Sequence, residues 1–135
     1  HTATTLTLAE TGHLVITTLH TYDAPQTIDR IIDIFPPYQQ HQIRLQLSLS
    51  LRGIITQKLI PKIGGGQVAA REILVNTPAV ANLIRENKIS QIHTVLQTSA
   101  KEGMQTMDSA IRDLFKRGLI DEQTALSHIQ NRSFL

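Results

Sequence analysis

The sequence predicts an α/β fold in two parts: an α/β region with strands and a β-hairpin over residues 1–76, then a small all-helical bundle over residues 77–135. Three observations carry this. The run "HLVITTL" is rich in β-branched and apolar residues, as a strand buried on both faces would be. Two apolar-rich runs flank Gly64-Gly65-Gly66, which suits a hairpin whose turn needs positive φ. From Thr77 onward, apolar residues recur at helical spacing behind capping residues.

Taken in order, "TTLTLAE" carries a weak helix signal that ends at Thr11-Gly12, because glycine accepts the left-handed conformation just past a helix end without a Cβ penalty. The strand follows. Asp23 is placed to cap the next helix, with Pro25 tolerated in its first turn and Ile28, Ile31, Ile32 and Phe35 on one stripe until Pro36-Pro37 stops it. In "QIRLQLSLSLR" two readings compete. Ile43, Leu45, Leu47, Leu49 and Leu51 alternate with polar residues as in a half-buried strand, and this pattern leans towards strand. Leucine, glutamine and arginine are helix formers, and Ile43, Leu47, Leu51 and Ile54 also lie on one helical stripe.

In the second part, Thr77 caps a short helix with Pro78 at its first position and Val80, Leu83 and Ile84 buried. Residues 89 to 99 repeat the pattern with Ile89, Ile92, Val95 and Leu96. Met104, Met107, Ile111, Leu114 and Phe115 form a third helix, closed by Lys116-Arg117 and Gly118, and Asp121 caps a last one. The methionines read as core filler.

Composition narrows the function classes. With 135 residues and 41% hydrophobic content the chain can bury a core of ordinary size. Thirteen basic against eleven acidic residues give a net charge of +2, too small to mark a nucleic-acid surface. The stretch between Asp33 and Glu72 holds no acid but contains Arg44, Arg52, Lys58, Lys62 and Arg71, which fits a solvated face or a surface for an acidic ligand or neighbouring subunit. The absence of cysteine excludes disulfides and thiolate metal sites and fits a cytoplasmic location. No run reaches the roughly 20 apolar residues of a membrane helix. The chain begins at His1 in mid-pattern, as a fragment of a longer protein would.

"TGHLVITTLH" contains two histidines. In one continuous strand an odd offset would put His13 and His20 on opposite faces and about 23 Å apart, which argues against a shared metal. No Gly-x-Ser-x-Gly elbow exposes a serine nucleophile. His20 lies where the strand ends, and ligands of open α/β sheets bind at the carboxyl ends of strands. It is therefore either a phosphate-facing site residue or a structural histidine, while His13 fits a role in holding the Gly12 corner. The three glycines read as a turn rather than a phosphate cradle, since no Gly-Lys-Ser/Thr and no helix follow them.

"AETGHLVITTLHT" resembles the His box of the type II/IV secretion and pilus ATPases, hexameric motors with a RecA-like core. "TIDRIIDIFP", "KIGGGQVAAREILVNTP" and "GMQTMDSAI" are similar to successive stretches of the pilus-retraction members, the PilT type. "AVANLIRE" is similar to that branch's Ala-Ile-Arg-Asn-Leu-Ile-Arg-Glu signature, with Val80 for isoleucine and Ala81 for the first arginine. The likeness runs over almost the whole chain. The lack of cysteines points the same way, because extension and type II secretion members typically carry a four-cysteine insertion.

The resemblance implies the C-terminal part of a RecA-like ATPase core over residues 1–76, and it implies a helix over residues 38–52. It implies a cytoplasmic homo-hexamer that uses ATP and Mg²⁺ to drive pilus retraction and twitching motility, docked on an inner-membrane pilus platform protein. By carry-over, His20 and His13 would be catalytic, His20 would contact the nucleotide, and Asn82, Leu83, Ile84, Arg85 and Glu86 would form the partner or retraction motif. No phosphate loop and no Walker B acid occur in the 135 residues, so the chain alone is expected neither to bind ATP or another cofactor nor to turn ATP over. The alternative is a non-enzymatic adaptor of the same fold that docks to a secretion or pilus-base ring.

Overall fold

The structure is a computed structural model that describes Leu6, residues 9–19 and residues 21–135. Most of "TTLTLAE" lies outside the described residues. Ala9 and Glu10 are helical and pass into a turn at Gly12, whose φ of +92° is the left-handed conformation expected there. The elements that follow are α1 (Ala24–Asp33), α2 (Pro37–Ser50), β1 (Gly53–Pro61), β2 (Gln67–Val75), α3 (Pro78–Arg85), α4 (Ile92–Thr98), α5 (Met107–Lys116) and α6 (Glu122–His128).

Helix α1 starts where Asp23 Oδ1 accepts the Gln26 amide at 2.8 Å. It buries Ile28 and Ile32. The proline pair then serves two helices: Pro36 is extended, and Pro37 opens α2, where its missing N–H costs nothing. The ambiguous leucine run is helical, as the resemblance implied and against the alternating pattern. Ile43 and Leu47 are buried on the face towards α1 and α3, and Leu49 is left 67% exposed. The alternation is therefore not used for burial. Helix-forming side chains behind a proline start outweigh it.

The hairpin forms as expected, with β1 and β2 antiparallel from Gly53↔Val75 to Pro61↔Gln67. Gly64, Gly65 and Gly66 have φ of +86°, +107° and +74°, values that a Cβ would strain. One face of the ribbon carries Ile54, Thr56, Lys58 and Ile60 with Val68, Ala70, Glu72 and Leu74, and it is the covered face. The other shows Ile55, Gln57, Leu59 and Arg71 to solvent. Lys58 and Arg71 thus lie on opposite faces, so the acid-free stretch does not gather its cations on one surface of the ribbon.

Two apolar clusters flank the covered face. The first joins Ile28, Ile32, Phe35, Ile43 and Leu47 to Leu74, Val80, Ile84, Ile92, Leu96 and Met104. The second joins Ile60 and Ala70 to Met107, Ile111, Leu114, Ile120, Ala125 and Ile129. Both draw residues from either side of Asn76, so the hairpin shares its two ends between them. Both methionines are core residues, as expected, although α5 begins later than the methionine spacing suggests: Thr106 caps it by accepting from Ser109 N, and Met104 precedes it. Thr77 and Asp121 cap α3 and α6 as expected, and Gly118 closes α5 at φ +76°.

Candidate functional site

The histidine-bearing segment differs from expectation. Residues 13–19 form no strand, and Leu14 and Ile16 are 83% and 86% exposed. The correction has a non-local cause. A β-branched run becomes a strand only when neighbouring backbone supplies its hydrogen bonds, and among the described residues β1 pairs with β2, and β2 makes one isolated bridge, Ile73 to Gln105, neither involving this run. His13 is exposed, and its Nδ1 lies 3.0 Å from Thr11 Oγ1, two residues back towards the Gly12 corner. His20 falls outside the described residues.

The end of this segment is nevertheless anchored. The Thr21 and Thr27 hydroxyls are hydrogen-bonded at 2.5 Å, and Thr27 Oγ1 also donates to the Asp23 carbonyl at 2.9 Å. Tyr22 N donates to Gln26 Oε1 at 2.8 Å. The chain leaving the histidines is therefore tied to the first turn of α1.

That turn rests on a residue that the reading of the sequence passed over. Glu72, 3% exposed in the middle of β2, accepts the Ala24 amide at 3.1 Å on one carboxylate oxygen and the Met107 amide at 3.3 Å on the other. These are the first residues of α1 and α5, whose opening amides have no partner within their own helices. Burial raises the carboxyl above its ordinary value, with Asp23 adding to the rise, while the two amides and nearby His93 oppose it. A signal was available in the sequence: Glu72 has the same strand parity as Ala70 and Leu74, so it had to be a carboxylate on an apolar face.

The motif residues Asn82 to Glu86 end α3. Ile84 is fully buried and Leu83 half-buried against the first cluster, whereas Asn82, Arg85 and Glu86 are exposed. Arg85 Nη2 donates to Asn82 Oδ1 at 2.9 Å, and Glu86 pairs with Lys88 at 3.4 Å. The helix thus anchors by one side and presents a short polar row on the other. Ala81, at the position of the signature's first arginine, is half-buried.

A hairpin laid across packed helices, with a histidine-bearing segment leading into the first of them, is the α/β arrangement of the C-terminal part of an ATPase core. It superposes on the crystal structure of the pilus retraction motor PilT with bound ADP at a TM-score of 0.86 and 48% identity, over 98% of this chain and 37% of that one. The Legionella pneumophila ATPase DotB gives 0.78 at 27% identity, over 92% of this chain and 34% of that one.

The sequence profile described as type II/IV secretion system protein matches residues 1–65, and the chain belongs to the type II/IV secretion ATPase family. Within it, the chain is 52% identical over 120 residues to the type IV pilus retraction ATPase PilT of Pseudomonas aeruginosa, covering 89% of this chain and 35% of the relative. It is 52% identical over 127 residues to a twitching motility protein of Neisseria gonorrhoeae, covering 93% and 34%. The chain thus spans about a third of the length of the curated relatives it matches.

Proposed function

We propose that the chain is the C-terminal part of a hexameric motor that hydrolyses ATP with Mg²⁺ to drive type IV pilus retraction and twitching motility. The supporting observation is the collinear likeness to the ADP-bound retraction motor along 98% of the chain. In this reading the protein works in the cytoplasm, peripheral to the inner membrane, against a pilus platform protein.

Residues 77–135 act as a helical subdomain on the core part, residues 1–76. His20, and His13 with it, face the terminal phosphate of the nucleotide and stabilise charge that develops there. The exposed state of residues 13–19, Val15 apart, fits a segment whose strand neighbours come from the remainder of the motor. Asn82, Arg85 and Glu86 meet the partner or relay ring motion, while Leu83 and Ile84 hold their helix in place.

The residues present do not by themselves fit a nucleoside triphosphate. No phosphate-loop lysine with its cradle of amides occurs in the sequence, nor a Walker B acid, so the 135-residue chain does not turn ATP over. The adaptor reading differs at this point, since it places no phosphate loop in the full-length protein.

The test is complementation of a retraction-deficient strain with the full-length gene, combined with ATP turnover by the purified protein. Restored twitching, with turnover by the full-length protein and none by the 135-residue chain, is the expected outcome. A full-length protein that hydrolyses no ATP sinks the motor reading and favours the adaptor.

A further inference from the structure

A path of hydrogen bonds, joined through the Asp23–Ala24 peptide bond, runs from the histidine-bearing segment to the C-terminal helices. Thr21 is bonded to Thr27, Thr27 to the Asp23 carbonyl, and Asp23 caps α1 through Gln26 N. The adjoining Ala24 amide donates to Glu72, and the second oxygen of Glu72 takes the Met107 amide. Apart from that peptide bond, every link is a specific donor and acceptor. The carboxylate at the centre is 3% exposed, so bulk water does not replace either bond readily. The two helices it joins belong to different apolar clusters: Ile28 of α1 packs in the first, Met107 and Ile111 of α5 in the second. Sliding one cluster against the other would strip an amide from Glu72.

We propose that Glu72 is a positioning residue that fixes the exit of the histidine-bearing segment relative to the C-terminal helices, so that the nucleotide side and the C-terminal side of the motor move as one. This rests on the motor reading given above. Glu72 touches neither nucleotide nor partner in this role. It acts through Ala24 on the orientation of the segment that ends at Thr21, and through Met107 on α5. Misplacing a reacting group by about 1 Å can cost on the order of a hundredfold in rate, so loss of the anchor is felt in turnover more than in nucleotide binding.

The test uses the full-length protein with Glu72→Ala, which removes both acceptors, and Glu72→Gln, which keeps the side-chain size but offers one oxygen only. Hydrogen–deuterium exchange is followed by mass spectrometry in peptides covering residues 21–30, 104–112 and the hairpin. Glu72→Ala should raise uptake in both helix-start peptides together, with hairpin uptake unchanged; Glu72→Gln should raise it in one. ATP turnover should fall about ten- to hundredfold in Glu72→Ala while affinity for a non-hydrolysable ATP analogue changes less than about twofold.

Uptake rising in neither helix-start peptide, or rising throughout the protein, overturns the anchor. Raised uptake at both helix starts with turnover kept within about twofold of wild type overturns the coupling. Absence of turnover in the wild type is a different result: it sinks the motor reading, and the exchange data still decide the anchor.

Discussion

Asn76 Nδ2 donates to the Leu51 carbonyl at 2.8 Å and to the Ser48 carbonyl at 3.1 Å. The first residue after β2 therefore closes the C-terminal end of α2, twenty-five residues earlier in the chain. Carbonyls at a helix end have no partner within the helix, and here a side chain supplies one. Asn76→Ala leaves both without that donor in a part-buried setting and should destabilise the 135-residue chain by about 1–3 kcal/mol. Asn76→Asp should cost at least as much, because it sets a carboxylate oxygen against two carbonyls. Urea unfolding curves check both, and an Asn76→Ala variant with an unchanged midpoint would remove the cap from the account of this fold.

Elements whose cause is local were legible in the sequence. Asp23, Thr77 and Asp121 cap helices because their side-chain oxygens reach an amide three residues on, and Gly64 to Gly66 turn the hairpin because the backbone there takes positive φ. What failed was non-local. The run from His13 to Leu19 has strand composition, but pairing depends on backbone that the run does not contain. Glu72 went unnoticed because its partners, Ala24 and Met107, are 48 and 35 residues away in sequence. The alternation of Ile43 to Leu51 misled because period-2 and helical stripes overlap in a leucine-rich run. His20 was singled out by its place at the end of the expected strand, whereas its catalytic role, that of His13 and the roles of the motif residues came from family likeness.

The motif in α3 should divide into two functions. Ile84 is fully buried in the first cluster, so Ile84→Ala should cost about 2–5 kcal/mol and lower every activity by loss of folded protein. Arg85 is exposed and, among the described residues, its side chain bonds only Asn82 of its own helix, so Arg85→Ala should change stability by less than about 0.5 kcal/mol. In the full-length protein Arg85→Ala should impair retraction while leaving ATP turnover mostly intact. A large loss of hydrolysis in this variant, with stability unchanged, would place Arg85 in the catalytic or structural machinery.

Gly53 opens β1 for a reason unrelated to turn geometry. A Cβ built there would lie 2.8 Å from the Leu74 carbonyl oxygen on the paired strand, closer than side chains approach backbone. Gly53→Ala must push the strands apart at their first rung, where Gly53 faces Val75. The expected cost is about 1–3 kcal/mol. Faster amide exchange confined to the Gly53 end of the ribbon would accompany it. Unaltered stability and exchange would show that the strands part there without penalty.

Glu72 also gives the fold a pH dependence of definite sign. Burial outweighs the two helix amides and holds its carboxyl above the ordinary value of 4.5, with Asp23 raising it further and His93 lowering it. Between the unfolded and folded values the native state binds the proton more readily than the unfolded chain does. Stability contributed by this group is therefore fully present below the unfolded value and declines as pH rises through the folded one. Glu72→Gln does not titrate, and so isolates this contribution from that of the other carboxylates and of His93. Wild type and Glu72→Gln should be compared by urea unfolding over a pH series that starts below the ordinary carboxyl value of 4.5 and rises through it. The midpoint of the wild type relative to the variant should fall as pH rises. A relative midpoint that rises with pH would mean that the Ala24 and Met107 amides outweigh burial, and that the carboxylate is held in its charged form.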